Sequence, residues 1–145
     1  MWCNKASGMG VFLRGNAGME EHKQTVLYVE DNPLNMELMH HIFRKNLPAV
    51  QLLKAETAES GLQIAEQQQP DLIILDIGLP DLDGYEAMEY LKKDQRTCHI
   101  PVLAISAFAQ QADIQRAEQV GFAGYVTKPI QVKAFTRTVE QLLGG

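Results

Sequence analysis

Two uninterrupted apolar runs constrain the fold more than any other feature of the sequence. Residues 72–75 (LIIL) and 102–105 (VLAI) each hold four consecutive apolar residues. Runs of this length are typical of strands that are buried on both faces, since a strand with one wet face alternates apolar and polar residues. Strands buried on both faces belong to parallel sheets that are covered by helices on each side. The two runs therefore predict an α/β fold.

The chain around these runs alternates between strand-like and helix-like patterns. Strands are predicted at residues 25–29, 50–55, 72–75, 102–105 and 122–126. Helices are predicted from Pro33 to just before Pro48 and at residues 57–66, 85–93, 109–120 and 130–143. In the first helix, one apolar stripe is expected to contain Leu34, Leu38 and Ile42, with Met39 and Phe43 beside them. Strict alternation predicts a parallel sheet with right-handed crossovers and helices on both faces.

Composition and charge narrow the class of protein. The 145 residues suit one domain, and 46% apolar with 21% charged residues is ordinary for a soluble globular protein. A net charge of −5 disfavours nucleic acid or an anionic membrane surface as the main partner. No apolar run approaches the roughly 20 residues of a membrane span. Cys3 and Cys98 form neither a disulfide framework nor a metal-ligand spacing, so a reducing, cytoplasmic environment is expected.

The first 23 residues differ in composition from the rest of the chain. They contain four glycines and show no sustained period. We interpret residues 1–23 as a flexible leader, an appended segment or an upstream start, with Met19 as an alternative beginning. An adhesive role for Trp2 and Phe12 is the weaker alternative. The folded domain is expected to span residues 24–145.

Polar side chains follow four of the predicted strands. Glu30 and Asp31 follow the first strand, Asp76 the third, Ser106 the fourth and Lys128 the fifth. The carboxyl ends of parallel strands lie on one edge of the sheet, where ligands bind in open α/β sheets. Each residue taken alone could be a helix cap or a turn residue. That alternative explains the residues one at a time but explains the whole set poorly.

The residue types at this edge indicate a chemistry. Converging carboxylates repel one another unless a cation offsets their charge, and hard oxygen ligands suit Mg²⁺. A metal ion and Lys128 could hold phosphoryl oxygens while a carboxylate attacks phosphorus. Phosphoryl transfer is therefore predicted. Asp76 is either the working carboxylate or a structural cap on the loop that follows it.

Four motifs resemble those of two-component response-regulator receiver domains. They are VEDN at 29–32, LDIGLPDLDGYE at 75–86, PVLAISA at 101–107 and YVTKP at 125–129. The resemblance covers residues 25–143 and is strongest to receivers of hybrid sensor kinases and to stand-alone receivers. It implies a flavodoxin-like (βα)₅ doubly wound sheet with strand order 2-1-3-4-5. It also implies a signalling domain that catalyses only its own phosphoryl transfer and slow autodephosphorylation.

The resemblance assigns a role to each residue at the edge. Asp76 would accept a phosphoryl group from phosphohistidine on a histidine kinase or a histidine phosphotransfer protein. Asp31 and Asp76 would ligate Mg²⁺ directly, together with the backbone carbonyl of Gly78. Glu30 would act on the metal through a water molecule.

The resemblance also implies a switch and two surfaces. Ser106 would bind one phosphoryl oxygen and Lys128 another. A cis Lys128–Pro129 bond would aim the Lys128 ammonium at the phosphoryl group. Tyr125 would be the aromatic switch residue. The output surface would be formed by helix four, strand five and helix five. Because the first helix begins next to the acidic residues, we also expect the phosphodonor to dock on it, anchored by Met36 or Met39, whichever is exposed.

Two other classes of protein share this chemistry or this fold. A hydrolase with a phospho-aspartyl intermediate commonly has a second acid two residues after the nucleophile, and Gly78 occupies that position here. A flavodoxin-like flavin-binding module needs a hydroxyl- and glycine-rich phosphate loop after its first strand. Glu30 and Asp31 would instead repel a bare phosphate.

Overall fold

The computed structural model describes residues 23–77, 84–107 and 110–144 of the chain. Within these ranges, five strands alternate with five helices. In chain order the elements are β1 (Thr25–Val29), α1 (Pro33–Asn46), β2 (Gln51–Ala55), α2 (Ala58–Gln68), β3 (Leu72–Asp76), α3 (Gly84–Lys93), β4 (Val102–Ser106), α4 (Gln111–Val120), β5 (Gly124–Thr127) and α5 (Val132–Leu142). The predicted alternation is confirmed.

The strands form one parallel sheet in the order β2-β1-β3-β4-β5, as predicted. One rung of the sheet joins Ala55, Val29, Leu75, Ala104 and Tyr125 across all five strands. Because every strand runs in the same direction, the residues that follow this rung all lie at one edge. This register brings together the polar residues that end β3 and β4 and those that follow β1 and β5.

Two apolar clusters cover the two faces of the sheet. The β3 and β4 residues are buried throughout, as their continuous apolar sequences predict. One face packs against α2, α3 and α4, through buried residues such as Ala65, Met88 and Ala117. The other face packs against α1 and α5, where the rings of Phe43 and Phe135 meet edge to face at 6.3 Å. Layers on both sides thus hold the sheet edge rigidly in place.

Local sequence sets where the helices begin and end. The Asn32 side chain accepts hydrogen bonds from the backbone N–H groups of Leu34 and Asn35, and Pro33 occupies the first turn of α1. Thr57 and Ser60 form a capping box at the start of α2. Gly121, with φ of 102°, ends α4 in the left-handed conformation that glycine adopts without strain. These residues fix where α1 and α2 begin and where α4 ends.

The apolar stripe predicted for α1 is wrong in part. Met39, Ile42 and Phe43 are buried, but Leu34 is 75% exposed and Leu38 is 52% exposed. Four residues exceed one full turn of an α-helix by about 40°. Leu38 and Leu34, which lie four and eight residues before Ile42, are therefore rotated progressively away from the core. The two leucines therefore lie on the outer face of the helix. Of the two predicted anchor residues, Met39 is buried and so cannot contact a partner, and Met36 is half-buried.

Three further expectations differ from the structure or fall outside it. The β5 strand begins at Gly124 rather than at Phe122, whose ring packs edge to face against Tyr85. Cys98 is half of a disulfide, and the other cysteine, Cys3, lies outside the described residues, so cysteine usage no longer supports a reducing compartment. The predicted leader lies outside the described residues except for Lys23. Among the described helices, none combines the length and apolar character needed to cross a membrane.

Candidate functional site

An ammonium group joins two carboxylates at the carboxyl edge of the sheet. Lys128 Nζ lies 2.8 Å from Asp76 Oδ2 and 3.4 Å from Glu30 Oε1. Asp76 is the last residue of β3, Glu30 follows β1, and Lys128 follows β5. The structure therefore brings together three of the residues that the sequence placed at this edge.

Backbone geometry fixes the position of Lys128. Its backbone N–H donates to the Ser106 carbonyl oxygen at 2.9 Å, and the Lys128–Pro129 bond is cis, as predicted. Burial alone disfavours the charged ammonium. The hydrogen bond to Asp76 and the charges of Asp76 and Glu30 outweigh burial and raise the pKa of Lys128. The side chain therefore stays protonated at neutral pH.

The Glu30 carboxylate is buried and held from several sides. It is 2% exposed and accepts hydrogen bonds from the Tyr28 hydroxyl at 2.9 Å and from the Asn32 backbone N–H at 3.1 Å. A longer contact of 3.5 Å joins it to Asn35 Nδ2. Burial and the neighbouring Asp76 raise the pKa of Glu30. Burial, followed by the charge of Glu30, also raises the pKa of Tyr28, so its hydroxyl remains a donor.

Ser106 and Tyr125 lie beside this cluster, on adjacent strands. Ser106 ends β4 and is 3% exposed, and its register partner is Thr127. Tyr125 is half-buried in β5, two rungs earlier, and packs against the apolar cluster on the α2–α4 face. The two predicted switch residues thus stand on neighbouring strands, one at the edge and one below it.

Comparison with known proteins identifies the family. Residues 26–140 match the model of the response regulator receiver domain. The chain belongs to this family. The polar-differentiation response regulator DivK of Brucella ovis is 37% identical over 121 residues, covering 83% of this chain and 97% of that protein. The alternatives of a phospho-aspartyl hydrolase and a flavin-binding module find no support.

Solved receiver structures are similar over nearly the whole fold. The receiver domain of the sensor histidine kinase PA1611 from Pseudomonas aeruginosa is 28% identical, with a TM-score of 0.76 over 86% of this chain and 100% of that one. That structure contains a magnesium ion in its active-site cleft. A receiver domain of a histidine kinase from Syntrophus aciditrophicus is also 28% identical, with a TM-score of 0.74 over 84% of this chain and 91% of that one. The protein is therefore a phosphoacceptor receiver domain of two-component signalling.

The donor chemistry of the described residues at this edge fits Mg²⁺. Glu30 and Asp76 offer hard carboxylate oxygens that both contact the Lys128 ammonium, and the exposed Asp31 follows Glu30 in the sequence. In the part of the chain that the structure describes, no group of three or more His, Cys, Asp or Glu side chains is arranged to hold a metal ion. The remaining predicted ligand, the carbonyl of Gly78, lies outside the described residues.

Sequence reasoning missed one residue of this receiver site. Tyr28 lies two residues before Glu30 in an extended segment, so both side chains point to the same face of the sheet. That spacing was visible in the sequence, but a tyrosine in a strand is usually a packing residue. Only the 2.9 Å contact between its hydroxyl and Glu30 distinguishes the two roles.

Proposed function

We propose that Asp76 is the residue that accepts the phosphoryl group. The observation that supports this most strongly is the 2.8 Å contact between Lys128 Nζ and Asp76 Oδ2, at the edge where β3 ends. An Asp76 oxygen attacks the phosphorus of a phosphohistidine, and the phosphorus–nitrogen bond breaks. The bonding electrons return to the imidazole ring, and an acyl phosphate forms on Asp76.

The neighbouring residues have distinct roles in this proposal. Lys128 pairs with one phosphoryl oxygen and the Ser106 hydroxyl donates to another, since charge-assisted hydrogen bonds are strong. Asp31, Asp76 and the Gly78 carbonyl are the proposed ligands of Mg²⁺, with Glu30 acting through a water molecule. When bound, the metal ion supplies positive charge against the phosphoryl oxygens. Slow hydrolysis of the acyl phosphate by the domain itself completes the cycle.

Ser106 and Tyr125 form the proposed switch. A new phosphoryl oxygen draws the Ser106 hydroxyl inward, because it offers that donor a charged acceptor. The half-buried Tyr125 ring then moves into the space that is vacated. This shifts the conformational equilibrium of the surface formed by α4, β5 and α5, which is the proposed contact for a downstream protein.

The outer face of α1 is the proposed docking surface for the phosphodonor. Leu34 and Leu38 are exposed there, and a groove beside them is lined by Glu37, His41 and Arg44. The helix begins just after Glu30 and Asp31, which with Asp76 form the acidic edge of the sheet. A partner on the helix could therefore reach Asp76. A histidine kinase or histidine phosphotransfer protein is the proposed partner, in a small and transient contact. We propose a cytoplasmic location together with such a partner.

The assignment of Asp76 is tested by intact-mass measurement. The wild-type protein is incubated with a small phosphodonor, with and without Mg²⁺, and should gain one phosphoryl group only when the metal is present. Asp76→Asn should gain none, while Asp31→Ala should need a higher Mg²⁺ concentration because one charged ligand is lost. Phosphorylation of the Asp76→Asn protein under the same conditions would overturn the assignment.

A further inference from the structure

A buried tyrosine lies beneath the acidic edge. Tyr28 is 1% exposed and packs in the apolar cluster of the α1 and α5 face, together with residues such as Met39 and Phe43. Its hydroxyl points toward the edge and donates to Glu30 Oε1 at 2.9 Å. A buried tyrosine hydroxyl requires a hydrogen-bond partner, and here that partner is a carboxylate of the site itself.

The two oxygens of Glu30 have different partners. Oε2 accepts from the backbone N–H of Asn32 at 3.1 Å. Oε1 accepts from Tyr28 at 2.9 Å, while Lys128 Nζ is 3.4 Å away and Asn35 Nδ2 is 3.5 Å away. Of these three contacts, the one from Tyr28 is the shortest. The ammonium makes its own short contact, 2.8 Å, with Asp76.

We propose that Tyr28 is a positioning residue whose hydroxyl fixes the Glu30 carboxylate and thereby keeps the Lys128 ammonium on Asp76. Without the hydroxyl, the buried Oε1 would lose its 2.9 Å contact and keep the longer ones to Lys128 and Asn35, which is costly for a buried oxygen. The ammonium of Lys128 would then move toward Glu30 and lengthen its contact with Asp76. The functional consequence rests on the proposed role of Asp76, but the positioning itself does not.

Tyr28 also acts on the proposed metal site through Glu30. Residues that orient metal ligands from outside typically change metal affinity by about 10- to 100-fold when they are substituted. Because Glu30 is proposed to act through a water molecule, Tyr28 stands one step further from the metal. We therefore expect an effect of about three- to tenfold on Mg²⁺ affinity, below that range.

The test is Tyr28→Phe, which removes the hydroxyl and retains the ring. The first measurement needs neither metal nor phosphoryl transfer, since the Asn32 amide proton reports the position of Glu30 Oε2. In metal-free amide spectra, the Asn32 and Lys128 signals should shift. Mg²⁺ affinity, measured by calorimetry, should fall about three- to tenfold. An unshifted Asn32 signal, or unchanged Mg²⁺ affinity, would overturn the proposal.

Two control variants separate positioning from general effects. Tyr90→Phe makes the same chemical change at a side chain that is 60% exposed, and should leave both measurements unchanged. Ile42→Val trims the same apolar cluster without touching Glu30, and controls for lost stability. If Ile42→Val weakened Mg²⁺ binding as much as Tyr28→Phe, the hydroxyl would have no special role. Phosphorylation of Asp76→Asn would refute the proposed phosphoacceptor while leaving the Asn32 measurement as a valid test of Tyr28.

Discussion

Truncation of the exposed leucines of α1 should slow phosphorylation by a protein donor. Leu34 and Leu38 are 75% and 52% exposed. Complete burial of a leucine side chain contributes about 1.5–3 kcal/mol, so covering the exposed half of Leu38 would contribute about 0.8–1.6 kcal/mol. Leu38→Ala should therefore lower kcat/KM for a histidine phosphotransfer donor by about 4- to 15-fold. Leu34→Ala should cost at least as much if the partner covers both residues.

The assay compares two donors on the same protein. One donor is a phosphorylated histidine phosphotransfer protein, and the other is a small acyl phosphate that needs no docking surface. Leu38→Ala should leave the rate with the small donor unchanged, because no group of the site is altered. Substitution of such an exposed side chain should also change the free energy of unfolding by less than about 0.5 kcal/mol.

Met39→Ala on the same helix is the matched control. Its side chain is fully buried, so truncation should lower the free energy of unfolding by about 2–5 kcal/mol through the cavity that it leaves. The folded fraction should keep its preference for the protein donor. Equal loss with both donors in Leu38→Ala, or no loss with either, would refute the docking surface.

Two further predictions concern stability. Gly84→Ala would place a Cβ 2.6 Å from the Cα of Ile77, so denaturant titration should show about 1–3 kcal/mol of destabilisation despite the better helix propensity of alanine. Because the pKa of Lys128 is raised in the fold, its charge stabilises the protein fully below the ordinary value of 10.5 and less as pH rises through the raised pKa. The denaturation midpoints of wild type and Lys128→Met should therefore converge above pH 10.5.

The sequence predicted the sheet well because its signals are local and strong. The continuous runs in β3 and β4 can only be buried on both faces, and turn residues mark the end of each strand. Parallel strands put their carboxyl ends at one edge whatever the side chains do. That topological rule placed Glu30, Asp76 and Lys128 near one another without any distance being known.

Contacts that depend on rotation and distance could not be predicted in this way. The outward drift of Leu34 and Leu38 depends on where α1 docks against the sheet, since the apolar pattern itself is continuous with Ile42. The role of Tyr28 depends on whether its hydroxyl reaches Glu30 or another acceptor, which spacing alone leaves open. Packing, rather than pattern, decides both cases.

The charges at the acidic edge explain why a divalent cation should be needed for transfer. Lys128 supplies one positive charge to two carboxylates, Glu30 and Asp76, both of which are buried. The raised pKa of Glu30 indicates that burial and the neighbouring Asp76 already disfavour its charged form. A phosphoryl group on Asp76 would add further negative charge within contact distance of the same ammonium. Among the described residues, Lys128 is the cation that contacts both carboxylates, so the proposed phosphorylated state should need further positive charge, which Mg²⁺ at Asp31 and Asp76 would supply.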